Sequence, residues 1–157
     1  MAGLYGVATA AGVANNGNNV AQTVLTILPG SANSRVRITE YAISFDGTNN
    51  ANTPAKVEIG RCSTTGTSSS TITPSKINDP TGSLETLQTV CKKTFSAEPT
   101  YADILRTFYL SFFGGTIVIP QAPGQEDIIP GSTTAPIGIR VTANAAVNVT
   151  CTVRFEE

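Results

Sequence analysis

Three cysteines, Cys62, Cys91 and Cys151, two adjacent carboxylate pairs, Glu126-Asp127 and Glu156-Glu157, and the turn Asp46-Gly47-Thr48-Asn49-Asn50 are the groups in this chain that could do chemistry. The chain contains no histidine. That absence removes the usual serine and cysteine triads, cupin-type metal sites and most proton shuttles near neutral pH. A cysteine nucleophile would need another base. Lys92 and Lys93 beside Cys91 lower its pKa only if their charges point at the sulfur, and adjacent side chains on a strand face opposite ways. The cysteine spacings are wide and offer no zinc pattern, so the expectation is three reduced, partly buried thiols. Paired carboxylates can hydrolyse glycosides or bind calcium, but neighbours on a strand diverge and one pair cannot fill a calcium shell. Glu126-Asp127 therefore reads as a loop edge or a salt-bridge partner across a subunit contact. The Asp46 turn lacks the acidic spacing of a calcium loop, and no phosphate-binding or nucleophile-elbow motif occurs. Asn148-Val149-Thr150 matches a glycosylation sequon inside a predicted strand. No catalytic, cofactor-binding or metal-binding residue is assigned, and the chain reads as no enzyme.

The elements that would carry these groups are strands. Charged residues are 13% of the 157 positions, hydrophobic residues 40%, and Thr, Asn, Ser and Gly fill the gap at the expense of helix formers. Val147, Val149, Cys151, Val153 and Phe155 fall on one side of an extended backbone, and Ile137, Ile139 and Val141 repeat the pattern upstream. This period of two predicts a pair of half-buried strands joined near Asn144, whose inner face needs a second apolar sheet. Further strands are predicted over 20–28, 35–45, 56–62, 84–94, 104–113 and 116–119. In the second of these the apolar phase slips near Thr39-Glu40, which implies a bulge or a crossing from one sheet environment to another. Residues 63–83 read as a long Ser/Thr/Pro loop, a length that commonly signals binding. Pro123-Gly124 and Pro130-Gly131 are turn signatures around Ile128-Ile129. About eight evenly spaced strands without a long helix predict an all-β protein, a two-sheet antiparallel sandwich, jelly-roll-like, as one domain over residues 20–157.

Residues 1–19 are uncharged, rich in Gly and Asn, and carry only Leu4, Tyr5, Val7 and Val13 as anchors. Two readings compete, a free tail and an extended N-terminal arm that becomes ordered against a partner, and the arm is the preferred one. The net charge is −1, with no basic stripe for nucleic acid and no polybasic patch for a membrane. No segment approaches the roughly 20 apolar residues of a membrane span, and no positively charged leader opens the chain. The apolar groups of 104–113 occupy both faces, so contact with another subunit is one way to cover one of them.

Three stretches give the chain a family likeness: the arm with RVRITEYAISFDG, then KVEIGRCSTTGTSSSTITPSKINDP, then IVIPQAPGQEDIIPGSTTAPIGIRVTANAAVNVTCTVRFEE. Together they cover most of the chain, and they resemble the small jelly-roll head decoration (cement) proteins of tailed bacteriophages. The motifs are patterns of strand and turn and carry no chemical signature. The resemblance implies a homotrimer on the outer capsid surface of the virion, made in the host cytoplasm, that clamps the major capsid protein. Leu4, Tyr5, Val7 and Val13 are then the expected contacts of the arm on coat protein, and Tyr109, Phe112 and Phe113 the expected subunit contact. The implied partners include neither nucleic acid nor membrane, and no cofactor. The competing class is a receptor- or carbohydrate-binding β-sandwich module of a phage tail or lectin-like protein. Sugar recognition there favours exposed aromatic platforms, yet the chain has no Trp, and only Tyr5 and Tyr101 of its tyrosines fall outside the predicted strands.

Overall fold

A computed structural model describes residues 3–9, 13–47, 52–78 and 86–157. They contain thirteen strands and no helix. In order these are β1 (Leu4–Ala8), β2 (Val13–Asn15), β3 (Ala21–Leu28), β4 (Val36–Phe45), β5 (Ala55–Cys62), β6 (Thr67–Ile72) and β7 (Ser75–Lys76). There follow β8 (Val90–Ala97), β9 (Tyr101–Leu110), β10 (Thr116–Pro120), β11 (Asp127–Ile129), β12 (Ile137–Thr142) and β13 (Val147–Glu156). One sheet runs β10-β4-β13-β1-β7, with β11 also on β4 and β2 also on β13; the other runs β6-β8-β3-β12-β5-β9. Every pairing is antiparallel, so the protein is the two-sheet sandwich its alternation predicts.

The pairings are nested. β1 and β2 lie on β13, β3 lies on β12, β4 on β10 and β11, and β5 on β9. Each strand thus meets its counterpart from the opposite end of the chain, the wiring of a jelly roll. β6, β7 and β8 are inserted between the two innermost strands of that scheme and widen both sheets on one side.

Period-two burial drives the assembly. Val147, Val149, Cys151, Val153 and Phe155 are all buried, while Asn148 and Arg154 on the opposite face are exposed. Ile137, Ile139 and Val141 of β12 do the same in the facing sheet. Each such side chain contributes about 1.5–3 kcal/mol when fully buried. The expected slip in β4 is present: β13 skips Thr39, with Arg154 opposite Glu40 and Phe155 opposite Ile38.

Several expectations need correction. Residues 4–8 and 13–15 are no arm standing off the domain; they are the first strands of the roll. β13 is ten residues long and has β4 on one side only. Its other side would expose a row of unpaired backbone groups, and β1 and β2 satisfy them in succession. The Ser/Thr loop contains β6 and β7, leaving residues 79–83 outside the described residues, as are 84 and 85 at the start of the next predicted strand. β8 begins at Val90, and β9 runs from Tyr101 to Leu110, so the Phe112-Phe113 pair lies in the following turn.

Candidate interaction surface

β9 is bonded to β5 alone and β10 to β4 alone, so each is the margin of its sheet, and residues 111–115 join the two. This side of the sandwich carries exposed apolar groups on the outward faces of both sheets. Of the six exposed large hydrophobic residues among the described ones, four lie here: Ile104, Tyr109, Phe113 and Val118, with Tyr109 67% and Phe113 62% exposed. An open edge carrying such groups is a template for association unless something covers it.

Behind these side chains a polar seal closes the gap between the sheets. Arg106 reaches from β9 to the other sheet, where its guanidinium pairs with Asp127 and donates to Gln121 Oε1 at 3.1 Å. It also lies over the Tyr41 ring, 5.9 Å from the centroid. The Tyr41 hydroxyl donates to Asp127 Oδ2 at 2.9 Å. Arg61 Nη1 donates to the Ile128 carbonyl at 2.8 Å. Burial, and then the Asp127 charge, push the Tyr41 phenol well above its ordinary pKa. Gln121 Nε2 is buried and finds no acceptor among the described residues.

The outward face of the β12 sheet is finished differently. Gly138 on β12 sits directly opposite Gly60 on β5, and the Tyr101 ring fills the space their missing side chains leave. A Cβ on Gly138 would come 2.5 Å from the Tyr101 hydroxyl. The Arg140 guanidinium lies 4.4 Å from the centroid of that ring and donates to Glu58 at 2.9 Å; Lys56 also pairs with Glu58, at 3.1 Å. Burial pushes the Glu58 carboxyl up, but the hydrogen bonds from Arg140 and Lys56 and their charges outweigh it and hold it below its ordinary range.

The residues singled out for chemistry scatter. Cys62, Cys91 and Cys151 are buried free thiols. Burial pushes Cys62 up to about 11, burial and the Glu157 charge push Cys91 up to about 12, and burial alone raises Cys151 further. Asp127 serves the Arg106 pair within the chain, whereas Glu126 accepts the Gly124 N–H at 2.8 Å. Asn148 Nδ2 donates to Asp46 Oδ2 at 2.6 Å, and Thr48, Asn49 and Asn50 lie outside the described residues. No group of three or more potential metal-binding side chains occurs among the described residues.

The expected contact residues divide. Tyr109 and Phe113 are on the surface as the subunit-contact expectation requires. Phe112 is not: it is fully buried and stacks on Phe45 with ring centroids 6.1 Å apart. Tyr5, Val7 and Val13 are core residues of the chain itself, with Tyr5 stacked on Phe155 at 5.8 Å, and Leu4 is half-buried. They are already spent on the fold. Sequence reasoning missed Ile104 and Val118 as surface groups, although Val118 sits in a run of three apolar residues that one buried face cannot accommodate.

No protein-family model matches the chain, and a search of the curated proteins finds no match.

Proposed function

We propose that this chain is a structural, non-enzymatic protein that works by gripping its neighbours. More particularly, it is a head decoration (cement) protein of a tailed bacteriophage, made in the host cytoplasm and carried on the outer capsid surface of the virion. It acts as a homotrimer that binds the major capsid protein and stabilises contacts between coat subunits. The observation that carries this reading is the apolar, unpaired β9–β10 side, where Ile104, Tyr109, Phe113 and Val118 project from the margins of a stiff sandwich. Covering that side with a second copy removes exposed apolar surface. Three such copies tethered together multiply weak contacts with a shell into tight attachment. The family resemblance supplies the shell.

Light scattering after size exclusion tests the first half: the expected mass is three times the 16.3 kDa chain. Co-sedimentation with purified capsids stripped of decoration tests the second. A monomer that stays in the supernatant would end the proposal.

A further inference from the structure

A cavity of about 360 Å³ opens between the turn that follows β2 and the end of β8. Its walls are prepared for hydroxyl groups. Gln22 Oε1 accepts the Asn16 N–H at 3.0 Å, which fixes the amide and leaves Nε2 as a free donor. Glu98 Oε2 accepts the Thr23 N–H at 2.8 Å, which fixes the carboxylate and leaves Oε1 as a free acceptor. Phe95, half-buried, supplies an apolar ring to the same cavity. Thr94 beside it holds φ at +57°, a conformation that β-branched residues rarely adopt. Backbone outliers of this kind gather at ligand sites.

We propose that this cavity binds a neutral saccharide unit. Glu98 Oε1 accepts from one sugar hydroxyl, Gln22 Nε2 donates to its neighbour, and Phe95 lies against the C–H face of the ring. Adjacent hydroxyls need a donor and an acceptor held side by side, and both side chains are already anchored by one atom each. Phe95 and Glu98 both line the cavity. Glu98 is the one ionised side chain among the described residues of the lining, so an acidic sugar is repelled. The inference stands apart from the capsid reading, because the cavity belongs to one chain and uses none of the β9–β10 groups.

The test is a titration of ¹⁵N-labelled full-length protein with glucose, galactose, mannose and N-acetylglucosamine, followed by a glycan array. The expected result is saturable shifts at Asn16, Gln22, Phe95 and Glu98. Glu98→Gln keeps an oxygen for the Thr23 N–H but replaces the free acceptor by a donor, so affinity should fall at least about tenfold. Phe95→Ala should fall similarly, with its fold checked by circular dichroism. No saturable shift and no array hit would overturn the proposal, and so would binding that both variants leave unchanged. A trimer that coats capsids yet binds no sugar loses this inference and keeps the reading above.

Discussion

On one side of the sandwich β6 ends at Ile72 and the chain steps into β7 of the other sheet; on the opposite side β9 steps into β10 through residues 111–115. Both pairs are sheet margins, and both steps are short, yet the chemistry is opposite. β6 reads TSSSTI, with Thr67, Ser69 and Thr71 outward, and Ser68 Oγ takes up the Ser70 N–H of the margin strand itself. Such a strand takes up one of its own backbone N–H groups and offers little apolar surface to another chain. β9 and β10 instead turn Tyr109 and Val118 to solvent. The difference teaches that the Ser/Thr margin is polar where the β9–β10 margin exposes apolar groups, and the proposed contact between copies rests on that contrast.

The largest expected effect concerns the Ser/Thr side, where β1 lies between β13 and the two-residue β7. Deleting residues 2–19 removes Tyr5, Val7 and Val13 from the core and uncovers β13 along its length. The truncated chain should lose its cooperative thermal transition altogether, since the three lost burials alone approach about 5–9 kcal/mol, within the 5–15 kcal/mol stability of ordinary proteins. A truncated protein with a sharp melt near the wild-type temperature would restore these residues to a dispensable arm.

Adjacent phenylalanines sharpen the contrast on the other side. Phe112→Ala opens a cavity beside Phe45 and should cost about 3–5 kcal/mol by urea denaturation. Phe113→Ala, one residue on and 62% exposed, should leave the chain's own stability within about 0.5 kcal/mol while weakening the proposed trimer. Equal losses of stability at the two positions would mean that the aromatic margin is already packed.

The seal behind that margin gives a pH signature. Tyr41 has a folded pKa raised above its ordinary 10.0, so its contribution is complete below pH 10 and is lost as the pH climbs past that value. Tyr41→Phe removes the hydroxyl bond to Asp127 and should cost about 0.5–1.5 kcal/mol at neutral pH. It should also flatten the alkaline decline seen in denaturation midpoints above pH 10. Tyr101, likewise raised by burial, contributes a second share of the same decline. A decline untouched by both Tyr→Phe changes would place the seal's stability elsewhere.

Much of the scaffold is legible in the sequence because period two is local: β12, β13 and the bulge in β4 follow from residue types alone. The first strands are not, because Tyr5 and Val7 are two apolar residues among glycines and alanines. Their strand exists only because β13, some 150 residues away, needs a partner. β6 escapes for the same reason: its serines and threonines show no apolar phase, and β8 supplies the ladder. Phe112 and Phe113 read alike in sequence, and only the turn after β9 sends one inward and one out. Gly60 and Gly138 stand inside alternating strands where an outward side chain is due, the mark of a close approach, and Tyr101 is what approaches.

The smallest expected change in stability is also the sharpest test of the comparison. Tyr109 stands beside Lys56 on the outward face of the β12 sheet and is 67% exposed, so Tyr109→Lys should move the chain's own stability by no more than about 0.5 kcal/mol. It gives β9 a charge of the kind that natural margin strands use against pairing, and sets it next to an existing lysine. If the parent protein is the proposed trimer, light scattering should then find a single chain. The mirror-image change, Thr71→Tyr on β6, should leave the assembly as it is, because one aromatic does not make a surface of a margin whose other side chains are hydroxyls. A trimer that survives Tyr109→Lys and falls apart with Thr71→Tyr would reverse the roles of the two sides, and the contact between copies would have to be sought along the Ser/Thr margin.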